Sequence, residues 1–485
     1  MYNIVIKNVE NKYEYNELIK VFLRPDQFVS FTESEYAEHS CKNSLEDRQN
    51  PLGTAETDTL VVFNEVGFTD KNHIKREIFQ GLLQIVREEN PDAWVNPPAW
   101  GILTGVRPVK LTGELFAKLG SEEAVGKKLR EFYFVNDEKT QLLIDTYNYQ
   151  QEVLGPPPSS GVGVYIGIPF CPTRCLYCSF TSNQKGPEEI QRYLDALFTE
   201  IRYCGLRMKE TGLWPESVYI GGGTPTTLDE HQLDALLSEV KTHMDLSRCK
   251  EFTVEAGRPD TITYEKLEVI KKHGVDRISI NPQSMKQRTL ELIGRSHKPG
   301  DIVKAFQKAS WCEIPMVNAD VIAGLQEETV EDFKDTMERL IKLDATNITV
   351  HTLAVKRASR LMEEDPDYAY RQGELVADML AEGVKLLAEA GYRPYYLYRQ
   401  KHMAGSFENV GYCKGDTPCI YNIRIMEEQQ TIIALGAGGI SKVYFPEENR
   451  LERVPNVSNY EIYIERLEEM LDRKENNLFK EVTKC

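Results

Sequence analysis

Between residues 164 and 353 the chain repeats one pattern: a short β-branched run, then a longer amphipathic segment. The runs are VYIGI (164–168), SVYIG (217–221), EFTVE (251–255), RISIN (277–281), VNADVIAG (317–324) and NITVHTL (347–353). Stretches such as EEIQRYLDALFTEIRYCGL, DEHQLDALLSEVKTHM, TYEKLEVIKKHG and VEDFKDTMERLIKLD separate them with helical periodicity. A strand that returns to its neighbour through a helix lies parallel to it. The repeat therefore predicts an α/β fold with a parallel sheet, either closed as a barrel or open. Either form puts chemistry at the strand C-termini.

The pattern begins after a break. At 155–161 the sequence GPPPSSG bars a helix and loosens the chain, which predicts a domain boundary. Residues 1–155 read as an N-terminal α/β or α+β domain of unknown role. Its strands are expected in YNIVIKN and TLVVFNEV, and its helices in HIKREIFQGLLQIVREE and SEEAVGKKLREFYF; WGILTGVRPVKL (100–111) reads as a packed helix start. Residues 160–390 hold the repeat. Residues 391–485 read as a C-terminal α+β subdomain, with strands in YRPYYLY and TIIALGAGGISKVYF and then a long charged helix, SNYEIYIERLEEMLDRKENN.

Charge and composition narrow the function. With 58 Lys and Arg against 75 Asp and Glu, the net charge is −17, which argues against nucleic-acid and anionic-membrane partners. The 41% hydrophobic and 27% charged fractions are those of a globular protein. No apolar stretch approaches the roughly 18–20 residues of a membrane span, and the N-terminus lacks a secretory core, so a cytoplasmic protein is expected.

In that compartment the ten cysteines point to metal or redox chemistry more than to a disulfide scaffold. Only Cys171, Cys175 and Cys178, spaced C-x3-C-x2-C, have the pattern of a metal site; Cys413 and Cys419 are a loose pair read as plain thiols. The cluster follows the first strand in GIPFCPTRCLYCSF, where Pro169 and Pro172 block a helix. Three thiolates without an adjacent fourth suit an iron–sulfur cubane with one open iron, zinc or unliganded thiols being the alternatives.

Followed by Gly221-Gly222-Gly223-Thr224-Pro225 after the second strand, the three cysteines resemble the signature of the radical S-adenosylmethionine enzymes. The resemblance implies a partial (β/α)6 TIM-type barrel, a 4Fe–4S cluster on Cys171, Cys175 and Cys178, and one or two molecules of S-adenosylmethionine. Within that superfamily YIGIPFCPTRCLYCSF, YIGGGTPT, FTVEAGRPD, ISINPQSM, LIGRSH and VNADVIAGL, spanning about 164–444, are similar to the HemN-type branch. The module ahead of the cysteines, with YRQKHMAGSFENVGY (398–412), most resembles the HemZ group, which is coproporphyrinogen dehydrogenase-like.

By resemblance the cofactor contacts are Tyr165, Tyr177, Gly222, Gly223, Thr224, Glu255, Gln283, Arg295 and Asp320. Carboxylates suit ribose hydroxyls, and an arginine fork suits a carboxylate. No catalytic side chain is assigned beyond the cluster and cofactor. Gly167 and Phe180 depart from the dehydrogenases, which usually carry His and Cys there; Phe180 is a chaperone-like feature, whereas Arg399, Lys401 and His402 are dehydrogenase-like.

The implied reaction converts two propionates of coproporphyrinogen III to vinyls without oxygen, giving protoporphyrinogen IX. It needs a flavodoxin- or ferredoxin-type electron donor and an electron acceptor. Alternatives within the branch are a haem-binding chaperone and an anaerobic haem-opening methyltransferase. The remaining propionates need cations, for which Lys356, Arg357, Arg399 and Lys401 are the substrate-binding candidates, with Arg360 and Arg393 nearby. His351 reads as a core histidine or a proton-handling group.

Overall fold

The computed structural model describes residues 1–46, 59–89, 97–105, 107–178, 182–355, 359–365, 368, 372–400 and 404–482, without the side chains of 41–46, 360 and 404. In its first unit, Met1–Asp145, strands β1 (Tyr2–Ile6), β2 (Phe28–Thr32) and β3 (Thr59–Phe63) are parallel, with β1 in the middle. Helix Tyr13–Phe22 buries Tyr15, Leu18, Ile19 and Phe22, and helix Lys71–Glu89 buries Ile74, Ile78, Phe79, Leu82 and Val86. These are the i, i+3, i+4 stripes of amphipathic helices. The residues read as a helix start lead into helix Pro108–Leu119, which has proline in its first turn and ends on Gly120 at φ 76°.

The second unit, Thr146–Cys485, is organised by one sheet. Its six repeat strands are β4 (Gly161–Ile168), β5 (Trp214–Gly222), β6 (Glu251–Gly257), β7 (Arg277–Ile280), β8 (Met316–Ala323) and β9 (Asn347–Thr352). They pair in parallel and in sequence order, with helical crossovers such as Pro187–Thr211, Glu230–His243 and Val330–Lys342. All six runs read from the sequence are strands, and the fold is the expected partial barrel.

Alternation assigns the two faces of these strands. Val164, Ile166, Val218, Ile220, Val254, Ile278, Ile280, Val321 and Ile348 are fully buried. Burying such a side chain stabilises by about 1.5–3 kcal/mol relative to exposure. The intervening residues are Tyr165, Tyr219, Thr253, Glu255, Ser279, Asp320, Thr349 and His351, and the strand register sets these neighbours side by side. One period-two pattern thus gives an apolar layer and a polar, aromatic lining.

Residues 391–485 extend both edges of the same sheet. Strands β10 (Tyr392–Tyr398) and β11 (Asn409–Lys414) follow β9, while β12 (Ile432–Leu435) lies parallel to β4 and leads to β13 (Ile440–Phe445) and β14 (Arg450–Pro455). The run read as one strand, TIIALGAGGISKVYF, divides because Gly436 and Gly438 turn the chain at φ 87° and 75°. The expected long charged helix is broken into Tyr460–Glu465 and Leu467–Lys474, at Arg466 with φ −112°. The break accompanies a shared anchor: Tyr463 donates to Glu200 at 2.6 Å and Lys474 pairs with the same carboxylate at 2.8 Å. In a straight helix these residues would lie about 16 Å apart along the axis.

The strand N-termini are closed by buried ion pairs, Glu251 with Arg277 at 3.1 Å and Glu216 with Arg424 at 3.0 Å. That leaves the opposite end for the functional loops. No helix among the described residues is long and apolar enough to cross a membrane.

Candidate functional site

Beyond β4 the chain enters the cysteine loop. Cys171 N–H donates to the Asn183 carbonyl at 3.0 Å, Leu176 N–H to Ile293 at 3.0 Å, and Cys178 N–H to Cys175 at 3.1 Å. Cys171 and Cys178 are half-buried and Cys175 is buried; none is in a disulfide. Among the described residues no three His, Cys, Asp or Glu side chains converge on the point a single metal ion would take. A cubane asks each thiolate to bind a different iron.

The glycines after β5 let the second loop lie against the first. Gly223 N–H donates to Ile168 at 2.7 Å and Thr224 N–H to Phe170 at 2.8 Å. A Cβ on Gly223 would stand 2.4 Å from the Phe170 carbonyl oxygen and 2.9 Å from Cys171 Sγ. Gly222 has φ 112°. The threonine hydroxyl of Thr224 is 3.5 Å from Cys171 Sγ.

On the lining face Tyr219 donates to Glu255 Oε1 at 2.5 Å, and the Gly222 N–H reaches Glu255 Oε2 at 3.3 Å. Tyr165, Tyr219 and Tyr421 form a stack, with ring centroids 6.3 Å apart for the first pair and 4.6 Å for the second. Burial pushes the Glu255 carboxyl up to about 7; the Tyr219 hydrogen bond opposes the shift and the Asp320 charge adds to it. For Asp320 burial also pushes upward, but His351 and Asn318 outweigh it and hold the carboxyl below its usual value. Asn318 donates to Asp320 at 2.8 Å, His351 Nε2 lies 3.7 Å away, and the Tyr398 hydroxyl is 3.3 Å from His351 Nδ1. Two carboxylates of one lining therefore differ in basicity.

Gln283 sits after β7 at φ 66°, a left-handed backbone unusual for its type. Two bonds to β8 hold it there: its N–H donates to Asp320 at 3.0 Å and its carbonyl accepts from Ile322 at 3.1 Å. Arg295 donates to the Asn281 carbonyl at 2.7 Å and to the Tyr177 hydroxyl at 3.2 Å. Asn281 Oδ1, Gln283 Oε1 and Arg295 Nε are buried with no hydrogen-bond partner among the described residues. Buried polar atoms ordinarily have partners, so unspent capacity here suits a polar ligand. Three thiols, a glycine turn against one of them and these unspent atoms fit a cluster and a charged cofactor.

The expected cofactor residues thus come together at successive strand C-termini. Of the substrate-binding candidates, Lys356, Arg357 and Lys401 lie outside the described residues, as do Phe180 and His402. Arg399 is buried and donates to the Ser406 carbonyl at 2.6 Å, and burial pulls its guanidinium down to about 10. Cys413 and Cys419 are core residues, bonded to the Tyr149 hydroxyl and to Glu251 at 3.2 Å each. Burial raises the Cys413 thiol to about 11, which makes it a poor nucleophile.

Tyr219, Tyr398 and Arg258 were absent from the expected set. Alternation carried a signal for Tyr219, which is two residues before Gly221 and so on the same face. Arg258 stands in the motif FTVEAGRPD without a periodic cue.

Comparison with known proteins agrees with this geometry. The radical SAM superfamily profile matches residues 165–340. The Bacillus subtilis oxygen-independent coproporphyrinogen-III oxidase-like protein HemZ is 39% identical over 383 residues, covering 77% of this chain and 76% of that protein. The heme chaperone HemW of the same organism is 35% identical over 196 residues, 40% of this chain and 50% of HemW. The solved structure of Escherichia coli coproporphyrinogen III oxidase HemN, a radical SAM enzyme, matches 67% of this chain and 72% of its own with a TM-score of 0.51 at 20% identity.

Proposed function

We propose, from the premise that this chain belongs to the HemN-type branch of the radical S-adenosylmethionine superfamily, that it decarboxylates coproporphyrinogen III without oxygen. The observation that carries this reading is the 39% identity to HemZ along 77% of the chain.

When bound, a 4Fe–4S cluster and S-adenosylmethionine supply a 5′-deoxyadenosyl radical able to take a hydrogen atom from an unactivated carbon. Each of two propionates loses a hydrogen atom from its β-carbon, then CO2 and one electron, leaving a vinyl group; the electron goes to an external acceptor.

The chain's own residues hold and orient. Cys171, Cys175 and Cys178 supply the thiolates, and the glycine turn packs directly against Cys171. Glu255, Gln283 and Asp320 accept hydrogen bonds from hydroxyl or ammonium groups, while the stacked tyrosines keep their side of the site apolar. Lys356, Arg357 and Lys401 are assigned to the substrate's carboxylates. Arg399, which donates through one nitrogen to the Ser406 carbonyl, is assigned to the same carboxylates.

A second reading, a haem-binding chaperone, draws support from the 35% identity to HemW and from Phe180 where the dehydrogenases usually carry Cys. Parallel titrations with haem and with coproporphyrin III, the oxidised form of the substrate, test the choice by absorbance. Saturable binding of coproporphyrin III weakened by the Lys401→Ala substitution supports decarboxylation. Binding of haem alone overturns it.

A further inference from the structure

Arg258 is 3% exposed, yet it belongs to none of the roles assigned above. It follows β6 and ties its own loop to two others. Nε and Nη2 hold Asp260 in a fork at 3.1 and 3.0 Å, Nη2 also donates to Ser296 Oγ at 2.9 Å, and Nη1 donates to Thr173 Oγ1 at 2.5 Å and, more weakly, to the Thr173 carbonyl at 3.4 Å. Ser296 in turn donates to Asp260 Oδ2 at 2.9 Å. The loops after β4, β6 and β7 therefore meet on one guanidinium.

Thr173 lies between Cys171 and Cys175. The loop backbone is fastened to neighbouring segments at Cys171, through Asn183, and at Leu176, through Ile293. The Arg258 bond adds an anchor within the span between those points, where Pro172 has no N–H to offer. A lysine has one ammonium and cannot reproduce a fork on Asp260 together with two further directed bonds.

We propose that Arg258 is a positioning residue: it holds the Pro172–Cys175 stretch in the conformation that presents Cys171 and Cys175 to the cluster. This rests on the cluster assignment and is independent of which tetrapyrrole the protein handles. Asp260 keeps the buried guanidinium paired, and Ser296 ties the pair to the loop that carries Arg295 and Tyr177's partner bond.

The test uses two substitutions that act from opposite ends. Thr173→Val removes the short Oγ1 bond and leaves the longer one to the Thr173 carbonyl and the bonds among Arg258, Asp260 and Ser296 in place; Arg258→Lys removes the fork. Trypsin cleavage after Arg174, an exposed residue of the loop, is followed by mass spectrometry in the iron-free protein. Iron release to a chelator is followed in the reconstituted protein. A hydrogen bond from a charged donor corresponds to a factor of about ten, so Thr173→Val is expected to speed both processes about tenfold, and Arg258→Lys, which loses that bond and others, at least as much. In the double variant the effects should not multiply, because the Thr173 Oγ1 bond that Thr173→Val removes is among those Arg258→Lys already loses. Wild-type rates of cleavage and iron release in the folded Thr173→Val protein would overturn the proposal, as would effects that multiply.

Discussion

Tyr219 donates its phenolic hydrogen to Glu255 at 2.5 Å, joining the ends of two adjacent parallel strands. The groups that bear electrostatically on Glu255 are Asp320, which raises its carboxyl, and Tyr219 and the Gly222 N–H, which lower it. The carboxylate is the form that accepts hydrogen bonds from ribose hydroxyls. Affinity for S-adenosylmethionine is therefore expected to rise with pH through about 7, and Glu255→Gln should flatten the profile. Tyr219→Phe removes a lowering interaction and should move the midpoint upward. Calorimetric titrations across that range check both.

Glu328 gives a stability prediction with the opposite direction in pH. It is 3% exposed, accepts a hydrogen bond from Ser284, and its second oxygen has no partner among the described residues. Burial is the main reason its carboxyl is raised to about 7. Between the unfolded value of about 4.3 and that raised value, the folded state keeps a proton that the unfolded state has lost, so stability falls as pH rises through the window. Glu328→Gln keeps an acceptor for Ser284 and abolishes the charge. It should match wild type near pH 4 and exceed it near pH 8 by on the order of 2 kcal/mol, read by denaturant melts.

At Gly223 a methyl group has nowhere to go, meeting backbone and Cys171 Sγ within 3 Å. Gly223→Ala should displace the cysteine loop at a cost of about 1–3 kcal/mol and lower the iron retained after reconstitution. Iron assay beside a thermal melt separates the effect: iron loss without global unfolding is the expected result.

The barrel was legible because its strands alternate β-branched with small, polar or aromatic residues, and the same alternation sends Tyr165, Glu255 and Asp320 to the lining. The cysteine loop was legible from spacing and prolines. Strands β2, β11 and β14 were missed; RLERVP, for instance, carries charges on an edge strand and has no apolar rhythm. The broken C-terminal helix was illegible because its cause, the distant Glu200, is reached only after the chain has folded. Arg258 escaped for the same reason: two of its three partners, Thr173 and Ser296, lie in other loops.

One measurement bears most directly on the account. Reconstituted protein is incubated under anoxia with S-adenosylmethionine, dithionite and coproporphyrinogen III, and the tetrapyrrole is followed by mass spectrometry. The account predicts stepwise loss of two molecules of CO2, abolished by Cys175→Ala. Intact coproporphyrinogen in the presence of continuing 5′-deoxyadenosine formation would contradict it.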